Sequence, residues 1–440
     1  MSKTVLAISL IFLFLFSSLA AAAPATLDSG AVKQVVGSQY TDFVKDLEKL
    51  VNIDSGTGTA EGSAQIANIL KERLEPLGAT VEFRPNSKGT HVIARLKGEG
   101  KLRVLLSPHT DTVFEPGEAA KRPFRMDDKG FAYGPGAGDC KASVTQMVYM
   151  IKSIKELGFK NFGELIVYFD AEEETGSDDE GAILEELSKQ VDVAMIVDTA
   201  RPDWGIATQR KGSAKYDIKV TGISGHAGNA PQASASAIME LGNQISMLYK
   251  LASPLPKDPQ NYSADALKAK GISDHGQYIP DNSINVGVIS TTNTKRNRIP
   301  DNAMAQIEVR CYTMAELQRL DKEIKAMATK TVVPGVKVTI EGGIGVNPME
   351  KTPRVAKLID MYKGIAKKEY GADVVEWVAG GITVGNDTAK HVPTIDALGV
   401  ESDPMTEHTD RESVNLNSFV PRTVSLILFI DQMSQAWPIK

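Results

Sequence analysis

Residues 165–177 read LIVYFDAEEETGS. The first five are apolar and rich in β-favouring side chains, with no polar alternation. That is the pattern of a short strand covered on both faces, as in the sheets of α/β proteins. The run ends on Asp170, Glu172, Glu173 and Glu174. Adjacent carboxylates at the mouth of a buried strand repel and are costly to desolvate, and a multivalent cation relieves both costs. Taken alone, the stretch reads equally as a solvated acidic loop.

On either side the same arrangement recurs. Leu102–Ser107 is an apolar strand that runs into His109 and Asp111, and Val193–Val197 is another that ends on Asp198. Strands are also expected at Thr80–Arg84 and His91–Leu96. The intervening stretches have helical periodicity. Tyr40–Val51 is one. Ser63–Leu77 is a second, with Ile66, Ile69, Leu70, Leu74 and Leu77 on one face and Gly78 suited to its stop. Lys141–Leu157 is a third, with Val144, Met147, Val148 and Ile151 in one stripe and Gly158 after it. Helices alternating with buried strands predict an α/β layered core.

The pattern changes near Lys211. Tyr216–Val220 alternates, so one of its faces is solvated. A helix over 233–251, a polar loop over 252–282, strands over 283–291 and 303–312, a helix over 314–329 and a strand over 336–340 follow. This β-α-β-β-α-β order predicts a ferredoxin-like α/β sandwich inserted into the first domain. The first pattern resumes near Gly343, with helices over 353–369 and 417–435 and a short strand over 394–398. The expected organisation is a leader over 1–23, a catalytic domain in two parts, 24–210 and 343–440, and an inserted lid or dimerisation domain over 211–342.

The chain has 440 residues, 42% hydrophobic and 24% charged, with a formal net charge of −6. That balance argues against nucleic acid and anionic membrane as partners, while leaving room for an anionic substrate. Lys3, the apolar run Val5–Phe16 and the small residues Ser17–Ala23 have the layout of a secretory signal peptide, with a retained anchor as the alternative. The expected location is therefore secreted or periplasmic, with no membrane contact after cleavage. Cys140 and Cys311 read as two free thiols, a disulfide between them being the other option.

Several residues form a candidate metal set. His109 and Asp111 are two apart, so in an extended stretch both point the same way. One can bind metal while the other fixes its ring. Asp139 lies in the glycine-rich GPGAGDCK, where a helix N-cap is the competing role. Asp198 ends a buried strand, and His408 follows an irregular stretch. Each is weak alone, since loop histidines and capping aspartates are common. Together they supply two histidines and several carboxylates, the ligand types of a two-zinc site with one bridging carboxylate.

HTD, GAGDCK, DAEEETGS, VDTA, SGHAGNAP, IPDNA, VRCY, GGITVGN and EHTD occur here in the order seen in the zinc exopeptidase family. That family includes glutamate carboxypeptidase, aminoacylase and di- and tripeptidases, and the chain most resembles the glutamate carboxypeptidase branch. The resemblance implies two zinc ions per subunit. His109 and Asp198 would hold one, Glu174 and His408 the other, with Asp139 bridging and Asp111 supporting His109. Glu173 would be the general base, leaving Glu172 outside the metal set. His226 would stabilise the oxyanion, often across a dimer interface. Asn297 and Arg310 would contact substrate, Arg310 through a free carboxylate, and Gly380 and Gly381 would line the pocket. The implied protein is a homodimeric carboxypeptidase acting on small peptides or N-acyl amino acids.

Three departures stand out. Ala142 and Ser143 replace a usual glycine-containing pair. Val384 stands where an aspartate is usual. The stretch Ile340–Ile344 holds no basic residue where glutamate-releasing members carry one, which leaves preference for C-terminal glutamate open. The rival readings are an aminoacylase-type deacylase, an inactive binder on the same scaffold and a two-lobed solute receptor.

Overall fold

The computed structural model describes residues 26–176, 178–253 and 280–438. The leader and most of the loop over 252–282 lie outside the described residues. The strand that opened the sequence reading, Glu164–Phe169, is at the centre of a six-stranded sheet. The order is Thr80–Pro85, Thr90–Lys97, Glu164–Phe169, Arg103–Ser107, Val193–Ile196, Thr394–Ile395. The first two pairings are antiparallel and the other three parallel. The sheet is therefore mixed.

Both faces of this sheet are covered, which explains the unbroken apolar runs. Leu165, Val167 and Phe169 point into the larger core, and Ile166 and Tyr168 into a smaller one on the opposite side. Successive side chains alternate between the two. Helices Tyr40–Val51, Ala60–Leu74, Ala142–Glu156 and Phe419–Gln435 close the larger core, where the Phe43 and Phe419 rings stack at 3.8 Å. Helix Asp178–Ser188 supplies Leu184 and Leu187 to the smaller one. An unexpected helix, Ser29–Ser38, precedes these. Its apolar signal is only Val32 and Val36, but both are fully buried and Asp28 caps it by accepting from Ala31 N at 2.7 Å.

The second sheet has four antiparallel strands in the order Asn282–Ser290, Asn302–Cys311, Gly212–Thr221, Lys337–Val346. Helices Ala237–Leu251 and Met314–Met327 pack on one face through Leu241, Leu248, Leu317, Leu320 and Ile324. This is the ferredoxin-like sandwich. Its last strand overruns the expected end at Ile340, because Gly342 takes a φ of 112° and the ladder continues through a register shift near Val346. Its first helix begins at Ala237 rather than Ala233, where the Ser236 side chain caps it. The strand expected over 394–398 stops at Ile395, and Ala397 turns to a φ of 60°. Cys140 and Cys311 are both free and buried. Among the described residues no helix is long and apolar enough to cross a membrane.

Candidate active site

Three neighbouring strands deliver the polar residues to one edge of the main sheet. Arg103–Ser107 leads to His109, Glu164–Phe169 to the 170–174 segment and Val193–Ile196 to Asp198. The first two stay paired past their ends: Asp170 N donates to Pro108 O at 3.0 Å, and Thr110 N to Asp170 O at 2.6 Å. The carboxyl ends of such strands are where α/β folds place ligands.

Asp139 joins the two halves of the cluster. Its Oδ1 lies 2.8 Å from His109 Nε2, and its Oδ2 lies 3.2 Å from His408 Nε2. His109 Nε2 is also 3.8 Å from Asp198 Oδ1, and His408 Nε2 is 3.3 Å from Glu174 Oε2. Two groups of potential ligand atoms result: His109, Asp139 and Asp198 with Cys140 beside them, and Asp139, Glu174 and His408. All five ligands expected from the sequence are brought together.

The donor chemistry fits divalent cations. Glu174 Oε1 is buried without a hydrogen-bond partner, an arrangement that is costly unless something positive meets it. Burial raises the carboxyls of Glu174 and Asp198, and raises Glu173 well above the ordinary range. Burial opposes charge on Asp139 too, but bonds from His109 and His408 hold its carboxyl low. Bonds to Asp139 and Glu174 carry the His408 ring up to about 11. A cation bound there would take the ring nitrogens in place of protons.

Glu173 lines a small cavity together with His109, Asp198 and Val384. Val384 thus lies beside Glu173. Asp111 supports His109 less simply than expected. Its main-chain oxygen is the nearer partner of His109 Nδ1, at 3.1 Å, and its carboxylate is at 3.4 Å. That carboxylate accepts from Thr57 Oγ1 at 2.7 Å and from Glu173 N and Glu174 N at 3.2 Å each. Asp111 therefore holds both the histidine and the glutamate segment.

Two supports were not singled out from sequence. Glu412, fully buried, accepts from Gly136 N at 3.1 Å and from Gly138 N and Asp139 N at 2.9 Å each, fixing the Asp139 turn. Burial pushes its carboxyl up to about 7. Lys141, also buried, donates to Ile53 O at 2.8 Å. The acidic residue four after His408 was the only clue to Glu412, and nothing in the composition of EHTDRES separates it from its neighbours.

The remaining expected residues lie elsewhere. Arg310 donates to Glu308 Oε1 at 3.0 and 2.8 Å and reaches Gly380 O at 3.5 Å, so Arg310 and the Gly380–Gly381 turn are neighbours. A Cβ on Gly381 would meet no atom within 4 Å, so this chain's own packing does not demand glycine there. His226 is exposed, and its Nδ1 accepts from Gly228 N and Asn229 N at 3.2 Å each. Ala227 N donates to Asn297 O at 2.9 Å, which sets His226 beside Asn297. Among the described residues no hydrogen bond or ion pair joins these two to the metal cluster.

Residues 105–432 match the model of a known family, Peptidase family M20/M25/M40. Carboxypeptidase G2 of Pseudomonas sp. (strain RS-16) is 28% identical over 395 residues, 88% of each chain. Succinyl-diaminopimelate desuccinylase of Paracoccus denitrificans (strain Pd 1222) is 24% identical over 317 residues, 70% of this chain and 77% of that one. Among solved structures, aminopeptidase PepT from Bacillus cereus ATCC 10987 superposes with a TM-score of 0.68 at 19% identity, covering 90% of this chain and 99% of that one.

Proposed function

This chain belongs to peptidase family M20/M25/M40, a family of metal-dependent hydrolases, and from that premise we propose a two-zinc carboxypeptidase-type amide hydrolase. Its substrates are small peptides or N-acyl amino acids. The observation that carries the reading is Asp139, whose two oxygens face two different histidines, the second of which also meets Glu174.

His109 and Asp198 would hold one zinc and Glu174 and His408 the other, with Asp139 shared. The ions, when bound, supply Lewis acidity to a water and to the scissile carbonyl. Glu173 takes the proton from the attacking water and delivers it to the leaving nitrogen. A raised carboxyl suits both halves of that transfer. Arg310 releases Glu308 to bind the substrate's free carboxylate in a two-pronged fashion. His226 donates to the developing oxyanion. Because Nδ1 is occupied as an acceptor, a neutral ring carries its proton on Nε2. Its separation from the cluster in one chain supports action on the site of a second copy, within a homodimer formed by the 211–342 unit. The 1–23 leader supports export to the periplasm or beyond. A deacylase reading differs only in the acyl group accepted.

One experiment tests the whole reading: turnover of a panel of dipeptides and N-acyl amino acids by the zinc-loaded protein, before and after chelation, with metal counted per chain. We expect hydrolysis that chelation abolishes and zinc restores, and two zincs per chain. Turnover indifferent to chelation refutes it.

A further inference from the structure

Behind the metal cluster lies a second buried set that the reaction does not use. His91 stands near the start of strand Thr90–Lys97 and is fully buried, as are Tyr168, Asp170 and Glu172. His91 Nε2 is 3.2 Å from Glu172 Oε1, and Nδ1 is 3.1 Å from Asp170 Oδ1 and 2.8 Å from the Tyr168 hydroxyl. The two rings stack at 5.5 Å. Asn86 Nδ2 donates to Glu172 Oε1 at 2.9 Å, and Asp170 Oδ1 accepts from Glu172 N at 3.0 Å.

The segment these groups hold is degenerate, because residues 172, 173 and 174 are all glutamate. Asp111 grips the backbone of the second and third through N–H groups, which every residue there offers alike. Nothing in that grip tells one glutamate from the next. A slip of one residue would still present a carboxylate in two of the three places, with Ala171 entering the first place in one direction and Thr175 the last in the other. The first of the three meets the His91 ring and a side-chain amide, and the third meets the His408 ring.

We propose that His91 is a positioning residue that selects Glu172 from three consecutive glutamates, and so sets the register in which Glu173 faces the cavity and Glu174 meets His408. The proposal rests on the roles given above to Glu173 and Glu174. The physical basis is asymmetric: a buried carboxylate with donors is stable, and the same carboxylate stripped of one is strongly unfavourable. With His91 in place, the register that buries residue 172 is favoured. With an apolar residue there, burying any of the three glutamates is penalised and the registers approach one another in energy.

The test uses the zinc-loaded, full-length protein and three variants, each assayed well below its own Tm for kcat, KM and metal per chain. A small displacement of a reacting group costs ~10²-fold, so His91→Leu should lower kcat by about that factor with KM within about threefold, while His91→Gln, which keeps a donor, stays within about threefold of wild type. His91→Leu should also bind less metal than wild type. The double variant His91→Leu/Glu172→Leu removes the degeneracy and should recover at least about tenfold of the lost kcat and the full metal content. A His91→Leu protein that melts earlier but keeps wild-type kcat and metal overturns the proposal, because His91 would then serve stability alone. Should His91→Leu not fold, a double variant with under about 1% of wild-type kcat overturns it equally. Loss of metal in His91→Leu is read without substrate, so this inference and the choice of amide substrate fail separately.

Discussion

Two buried glutamates from different sheets show how a site differs from a core. Glu240, in the second sheet's first helix, is fully buried and accepts from Asn243 Nδ2 at 2.9 Å, Gln244 Nε2 at 2.8 Å, and Val332 N and Val333 N at 2.9 Å each. Although burial works against ionisation, those bonds hold its carboxyl below the usual range. Glu174, at the main sheet's edge, has one histidine on Oε2 and nothing on Oε1, and burial leaves its carboxyl raised. Burial is shared, and donor supply is not. A carboxylate that its own fold satisfies is structural, and one left short of donors is held for something the fold does not contain.

The contrast is most exposed at Glu173. Glu173→Ala should cut kcat by about 10³-fold or more while leaving metal content unchanged, since the base touches the reacting water and not the ions. A variant with near-normal turnover would place Glu173 among the satisfied carboxylates.

Next comes His226, which its own chain leaves exposed. His226→Ala should lower kcat by ~10²-fold with little change in KM. Co-expressed with the Glu173→Ala chain, it should regain activity, because mixed dimers assemble one intact site. No recovery would confine His226 to its own subunit.

Smallest is the effect at Glu240, read by melting rather than turnover. Glu240→Gln should lose about 1–3 kcal/mol at neutral pH, with kcat unchanged. The sign follows from its lowered carboxyl: its stabilisation is complete above the unfolded value of about 4.3 and is lost as pH falls below it. The gap between variant and wild type should therefore close in acid. A gap that persists there would mean that the loss comes from packing.

Most of the architecture was legible because apolar spacing is a local signal. Every main-sheet strand announced itself, and so did every long helix apart from Ser29–Ser38, with its two valines, and Asp178–Ser188. Of the five residues that gather at the site, His109, Glu174 and Asp198 were legible because they follow strands and Asp139 because it sits in a glycine turn, while His408, after an irregular stretch, stood out only through the family resemblance. The supports were not. His91 reads as the first residue of an ordinary strand, and Glu412 as one more acidic residue in a polar turn. Their partners are distant in sequence: 81 positions separate His91 from Glu172, and 274 separate Gly138 from Glu412. Arg310 and Gly380 meet only because two sheets do. Such contacts leave no periodicity to read.

That last separation sets a timetable. The turn that presents Asp139 is gripped by Glu412, and the ring that meets Asp139 Oδ2 belongs to His408. A ribosome has made all six strands of the main sheet and the whole four-stranded sandwich before either arrives. At that point the acidic cluster still lacks the histidine that meets Asp139 and Glu174, and the glutamate that grips its turn. Chemistry begins only when the last few dozen residues fold back across the molecule, a late loop closure over more than half the chain. A chain cut short before His408 would therefore lack both the ring that meets Asp139 and the helix Phe419–Gln435 that closes the larger core.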